Sequence, residues 1–226
     1  MPIADKINKL TLSEQIYNIL KSDILAGSIC LGDKLTNREL QERFQVSSTP
    51  VRDAINKLNQ DGLISEVTKT GAQLIRFDIE YSGELNEFIL ALSCEAVSLS
   101  SRAADTHPVI QELSSHLDSM IAAQNDEAYF DADYRFHRTF FDYSGNRFLK
   151  ETYKRYNLIR FLLMHHAVRT MEHKAASIQQ HRQIIDAYAS RDYVLARTLT
   201  EYHYLQGIQL ISKNPPEHQV DERTED

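Results

Sequence analysis

Between Val46 and Leu63 the chain reads VSSTPVRDAINKLNQDGL, with apolar residues at Val51, Ala54, Ile55 and Leu58. That spacing predicts a short helix with one inward stripe. Ser47 stands where a hydroxyl can cap the first turn, and Pro50 lies close to the start, where its missing N–H costs nothing. Gly62 supplies a residue free to take positive φ at the end. Arg52, Asn56 and Lys57 fall off the stripe, so the other face is polar and basic. Upstream, Leu35, Leu40 and Phe44 make a second short pattern, with Thr36 or Asn37 as cap and Arg38 and Arg43 outward. Only Gln45, Val46 and Ser47 separate the two helices, a helix-turn-helix spacing. Downstream, Leu63-Ile64 and Gln73 to Phe77 read as two strands, with Thr68-Lys69-Thr70-Gly71 as the tip of a small wing. A helix with an exposed N-terminus and a basic face meets the requirement for entering a DNA major groove. The wing can lay Lys69 and the Gly71 backbone against phosphates or the minor groove. A winged helix used only for protein contacts fits the same pattern.

The rest of the pattern is helical. Thr11 or Ser13 caps a first helix with Ile16, Ile19, Leu20 and Ile24 on one face, running to Gly27; residues 1–10 read as a loose arm. From Ile79 the periods lengthen. Leu85, Phe88, Ile89, Leu92, Ala96 and Leu99 predict one helix, and Thr106-His107-Pro108 breaks it. Val109, Leu113, Leu117, Met120 and Ile121 predict the next. A third runs from Asp126 to Tyr143 with Ala128, Ala132, Phe136 and Phe140 in register, then Ser144-Gly145-Asn146 turns the chain. Phe148, Leu149, Tyr153, Tyr156, Ile159, Leu162 and Leu163 mark a fourth. Ile178, Ile184, Ile185, Ala187 and Tyr188 mark a fifth. A sixth, capped by Asp192, carries Ala196, Leu199, Leu205, Ile208 and Leu210. The expectation is a mostly α chain. A winged helix-turn-helix domain spans 1–77, an all-α helical bundle spans 78–213, and 214–226 form a charged, disordered tail.

Composition divides along the same join. Residues 1–77 hold ten Lys and Arg against nine Asp and Glu; the remainder holds fifteen against twenty-three, making up the net charge of −7. A near-neutral head can bind a polyanion only through a local basic face, reinforced by dimerisation, while the acidic bundle should sit away from the duplex. No run is long enough for a membrane span and the start has no secretory core. Cys30 and Cys94, far apart, read as free thiols of a reducing cytoplasm.

The candidate chemistry lies in the bundle. Asp133 and His137 are four residues apart and share one helical face; His181 falls in the fifth helix and His203 in the sixth. Three helices can aim one carboxylate and three imidazoles into a bundle interior, a recurrent way to build a metal site. Taken singly, each histidine fits a hydrogen-bonded core or surface residue as well. His107, His116, His165, His166, His173 and His218 lack this geometry. Tyr134, Arg138, Asn146 and Arg160, with Tyr153 and Tyr202, are placed to line a pocket beside the four, and fit helix-surface or capping roles equally.

Two stretches resemble a known family. ILAGSICLGDKL, NRELQERFQVSSTPVRDAINKLNQDGLI and the wing glycine Gly71 resemble the winged helix-turn-helix of the GntR family of bacterial transcription regulators. DADYRFH, SGN, HRQIIDAYASRD and His203 resemble its FCD class, and together the likeness covers roughly residues 12–212. The resemblance implies that Asp133, His137, His181 and His203 ligate a divalent ion. Three imidazoles and a carboxylate suit Zn²⁺, Ni²⁺ or Mn²⁺ better than Ca²⁺. It also implies that Ser47, Ser48, Thr49 and Arg52 meet the DNA groove while Arg38 and Lys69 hold phosphates or base edges. A homodimer on a pseudo-palindromic double-stranded operator follows, with a small, acidic effector modulating binding, most simply as a cytoplasmic repressor. There are departures. Ser48 stands where the family usually has Arg, and Asp53-Ala54-Ile55 where it has Glu-Ala-Leu. Ile89 and Ser93 replace an Arg and a Glu on the first long helix, which makes a simple dicarboxylate less secure as effector. Two other readings stay open: a metal-dependent hydrolase, and a regulator whose metal only staples the bundle.

Overall fold

The computed structural model describes residues 10–76, 79–167 and 170–213. All but the last residue of the predicted arm over residues 1–10, residues 77–78 at the join and the tail over 214–226 lie outside the described residues. Two compact units divide at Arg76/Phe77.

In the first unit, α1 (Leu12–Leu25), α2 (Asn37–Phe44) and α3 (Ser48–Gln60) combine with β1 (Lys34–Thr36), β2 (Ile64–Thr68) and β3 (Gly71–Leu74). Thr11 closes a capping box with Glu14 at the start of α1, satisfying two orphan donors at once. The buried stripe of α3 is Val51, Ala54, Ile55 and Leu58, as the spacing predicts. α3 ends as Leu63 N donates to Leu58 O across Gly62, whose φ is 77°. α1 holds α3 through Tyr17, which donates to Asp61, and through the Lys57–Glu14 pair at 3.4 Å.

Three local features go beyond what the sequence announces. Ser47 is the N-cap of α3 by position, but its hydroxyl makes no cap bond. Gln45 occupies the turn position where many relatives of this motif carry glycine, and it takes the left-handed conformation regardless (φ 52°, ψ 47°). Its amide donates to Glu42 O at 2.6 Å, anchoring that turn. The sheet also has a strand that three residues of sequence could not announce. β1, around Leu35, pairs antiparallel with β3, giving the order β1-β3-β2, and β3 ends at Leu74 rather than Phe77; Phe77 itself lies outside the described residues.

Gly71 explains itself here. A Cβ built on it would stand 2.0 Å from the Leu35 carbonyl oxygen, so only glycine lets β1 pair with β3 at Thr36↔Gly71. It is buried. The strand pairing requires this residue, which gives Gly71 a structural reason beside the expected backbone contact to DNA. The wing tip is tied down next to it: Asn37 N donates to Thr70 O at 2.8 Å and Asn37 Nδ2 to Lys69 O at 3.3 Å. Lys69 is thereby fixed relative to the start of α2.

The second unit contains α4 (Ile79–Ser100), α5 (His107–Ala122), α6 (Asp126–Asp142), α7 (Arg147–Ala167), α8 (Met171–Ala189) and α9 (Tyr193–Lys213). Its closest packings run α5 on α6, α4 on α9, α8 on α9 and α6 on α7. Each helix buries one stripe, but not always every residue in helical register. Ile19, Phe88, Ile121, Ala128, Phe148 and Leu205, all expected inside, are exposed. In α4 the inward face is instead Ser82, Leu85, Asn86, Ile89, Ser93, Ala96, Val97 and Ser100. Among the described residues no helix is long and apolar enough to cross a membrane.

Replacing Gly71 with alanine should cost on the order of 3 kcal/mol, because the added methyl meets backbone rather than a movable side chain. Thermal unfolding of the full chain checks this; an unchanged midpoint for Gly71→Ala would show that β1 yields freely.

Candidate metal centre and nucleic-acid interface

α6 begins on Asn125, whose side-chain oxygen accepts from Ala128 N at 2.8 Å. From there Tyr129, Ala132, Asp133, Phe136, His137 and Phe140 repeat on the buried face. α8 starts on Thr170 and buries His181, Ile184, Ile185 and Tyr188. α9 starts on Asp192, which accepts from Leu195 N at 3.0 Å, and buries Ala196, Thr200 and Tyr204. These phases bring Asp133, His137, His181 and His203 to one point in the interior, with one ligand atom from each within 4.8 Å of all the others. His181, His137 and Asp133 are 0, 1 and 5 % exposed, and His203 is partly exposed.

The imidazole spacing is compatible with a shared ion, and the carboxylate stands slightly further off. His137 Nε2 and His181 Nε2 are 3.1 Å apart, and Asp133 Oδ1 lies 3.7 and 3.6 Å from them. Two ligands on one metal at about 2.0–2.1 Å stand roughly 3.0–3.4 Å apart. His203 turns its Nδ1 to Gln180 Oε1 at 2.8 Å. With Nδ1 donating, its Nε2 carries the lone pair, the outer-shell arrangement that fixes a ligand tautomer. Burial, aided by the nearby Arg160 charge, holds His137 and His203 well below the ordinary histidine range and pushes His181 down to about 3. All three imidazoles are therefore neutral at physiological pH, the form that coordinates. Three nitrogen lone pairs and a carboxylate oxygen converging in a buried space repel unless a proton or a cation sits among them. The donors fit a divalent ion of intermediate hardness.

Arg160, from α7, is 6 % exposed and donates from Nη2 to Asp133 Oδ2 at 2.6 Å. That leaves Oδ1 as the oxygen facing the imidazoles. Of the other predicted pocket residues, Tyr134 stacks on Tyr153 at 5.6 Å between centroids, and Arg138 pairs with Asp142 at 3.1 Å. The Asn146 oxygen accepts from Phe148 N and Leu149 N at the start of α7, a capping role. Tyr202 is exposed. His165, His166 and His218 fall on side chains outside the described residues. Sequence reasoning missed Gln180 and Tyr204. Each neighbours a candidate ligand in the chain, but no motif marks either one.

In the first unit, Ser47, Thr49, Arg52 and Lys69 are exposed and Ser48 is half-buried. Arg38 is exposed and pairs with Glu42 at 2.9 Å, a surface contact weak enough to exchange for phosphate.

The profile of bacterial regulatory proteins of the gntR family matches residues 12–74, and that of the FCD domain matches residues 84–206. The chain belongs to the GntR family, in its FCD class. It is a DNA-binding transcription regulator and not an enzyme, which sets aside the hydrolase reading. This GntR regulator is similar to an uncharacterized HTH-type transcriptional regulator of Bacillus subtilis, YdhC, at 26 % identity over 205 residues, 86 % of this chain and 91 % of that one. It is 28 % identical over 130 residues to the HTH-type transcriptional repressor RspR of Escherichia coli, covering 56 % of this chain and 57 % of that one. In fold it resembles E. coli McbR/YncC, with a TM-score of 0.72 at 20 % identity over 91 % of this chain and 99 % of that one.

The neutral histidines set an expected pH dependence. An unfolded histidine titrates near about 6.5; these three, lowered by the fold, take up protons only in stronger acid. The unfolded chain therefore binds more protons below that pH, and stability falls there. With chelator present, stability should be full above about pH 7 and decline as pH drops through 6.5 toward the lowered values, by up to about 1.4 kcal/mol per pH unit for each histidine. Urea midpoints across that range check it. The His181→Asn variant should show the shallower decline, and equal slopes for variant and parent would contradict the assignment.

Proposed function

We propose that this regulator carries a divalent metal on Asp133, His137, His181 and His203, and that the metal forms the floor of a pocket for a small, acidic effector. The observation that carries the reading is the buried convergence of four donors whose imidazoles are neutral. The ion would supply Lewis acidity to an effector's oxygens at whatever positions the protein leaves open. Arg160, buried beside it, would meet the effector's charge. Arg138 is paired with Asp142, Tyr134 is stacked on Tyr153 and Asn146 is engaged in capping, so they are the weaker candidates.

At the DNA, Ser47, Thr49 and Arg52 at the start of α3 would enter the major groove, with Ser48 beside them. Arg38 and Lys69 would hold phosphates. A two-fold homodimer would match a pseudo-palindromic operator. Effector binding would bias the dimer between two states of unequal DNA affinity. Likeness to a named repressor favours release of repression as the sign, and a regulator of this kind works in the cytoplasm. Zn²⁺, Ni²⁺ and Mn²⁺ all suit the donor set. A purely structural ion would unfold the bundle when removed, whereas a sensing ion would leave the fold and abolish the effector response.

Selection from a random duplex pool should return an inverted repeat. On that duplex Arg52→Ala should weaken binding by about 1–3 kcal/mol and relax preference at one position of each half-site. Anisotropy titration reads the effect; unchanged affinity and unchanged preference would remove Arg52 from the groove.

A further inference from the structure

The wing tip is a hairpin whose loop lacks the residues that usually shape one. β2 ends at Thr68 and β3 begins at Gly71, so Lys69 and Thr70 alone form the loop. Two-residue loops that match the twist of their strands need positive φ, which Asn and Gly supply. Neither Lys69 nor Thr70 takes it. Within the hairpin the Thr68 hydroxyl donates to Gly71 O at 3.2 Å. Both loop carbonyls are held from outside, by Asn37, the first residue of α2. Its N–H donates to Thr70 O at 2.8 Å and its Nδ2 to Lys69 O at 3.3 Å. Asn37 Oδ1 is buried without a partner, a cost to the folded chain, so the Nδ2 donor is what this amide contributes. Lys69 is exposed, and Arg38 follows Asn37 directly. One side chain thus ties the backbone of Lys69 to the helix that carries Arg38.

We propose that Asn37 is a positioning residue for DNA binding: its amide fixes Lys69 relative to Arg38, so that the wing and α2 grip the duplex backbone as one unit. This rests on the reading above that Arg38 and Lys69 hold phosphates. The gain is in ordering. A lysine on a loosely held hairpin loses the freedom of its backbone as well as of its side chain when it meets a phosphate. Asn37 removes the first loss before the duplex arrives. Asn37 is itself uncharged and displaces no counterion. The salt dependence of binding counts the cations engaged with phosphates. A change in that dependence on altering Asn37 therefore reports a charge held elsewhere, which a general loss of stability does not reproduce.

The test follows anisotropy of the duplex recovered by selection, over a series of salt concentrations. Full-length wild type, Asn37→Ala, Lys69→Ala and the double variant are compared. Asn37→Ala keeps the backbone bond to Thr70 O and loses only the side-chain bond to Lys69 O. Lys69→Ala should lower the salt slope by about one per bound head. Asn37→Ala should weaken binding roughly threefold and bring its slope toward that of Lys69→Ala. The double variant should bind as Lys69→Ala does, because Asn37 then has no cation left to place. Three results would each overturn the proposal while the phosphate reading of Lys69 stands: losses that multiply in the double variant, weaker binding of Asn37→Ala at an unchanged slope, or Asn37→Ala binding like wild type. Lys69→Ala indistinguishable from wild type in affinity and slope would overturn that reading and the proposal with it. A wild type that recovers no duplex would do the same. If Asn37→Ala does not fold, Asn37→Ser, which keeps a polar residue in the first turn of α2, is read in the same way.

Discussion

Crowding of electron pairs in a dry place governs the bundle. Two imidazole nitrogens stand 3.1 Å apart with a carboxylate oxygen within 3.7 Å of both. Burial denies them the water that would separate them. Such an arrangement needs a neutral imidazole N–H or a cation among the donors. The surrounding contacts point the same way. Gln180 orients one ring, and Arg160 restrains one carboxylate oxygen so that the other faces inward. α6 brings two of the donors and α8 and α9 one each, so whatever cation sits there ties helices across the interior.

The DNA-reading unit answers to a constraint of the opposite kind, lack of space. The Leu35 carbonyl comes so close to Gly71 that no side chain fits between them, and that approach closes the sheet. The closed sheet brings Thr70 and Lys69 against Asn37 at the head of α2, and α1 fixes α3 by Tyr17 and Lys57. Rigidity here serves recognition, since a reading head gains specificity from side chains held in place before the duplex arrives.

Much of this was legible in the sequence. Helical periods located α3 and the long helices, and the four-residue step from Asp133 to His137 placed both on one face. The failures have physical causes. β1 is three residues long, too short to carry a period. Phe88, Ile121, Phe148 and Leu205 keep helical register with buried neighbours but fall just beyond the edge of the packed stripe, which spacing alone does not resolve. Ser47 has the chemistry of a cap and makes no cap bond, and Gln45 takes a conformation that composition assigns to glycine. Arg160 was visible only as one of several candidates. Its contact with Asp133 joins α7 to α6 across the core, and the sequence carries no trace of such a pairing. Resemblance supplied the identity of the four donors, and geometry supplied the reason they belong together.

X-ray absorption at the metal edge, on full-length protein reconstituted with one equivalent of Zn²⁺ after chelation, tests the central claim most directly. The account predicts a bound ion with three imidazole nitrogens and at least one oxygen at about 2.0–2.2 Å, and loss of imidazole scattering in His137→Ala. A shell of water oxygens alone, or a spectrum indifferent to that substitution, would contradict it.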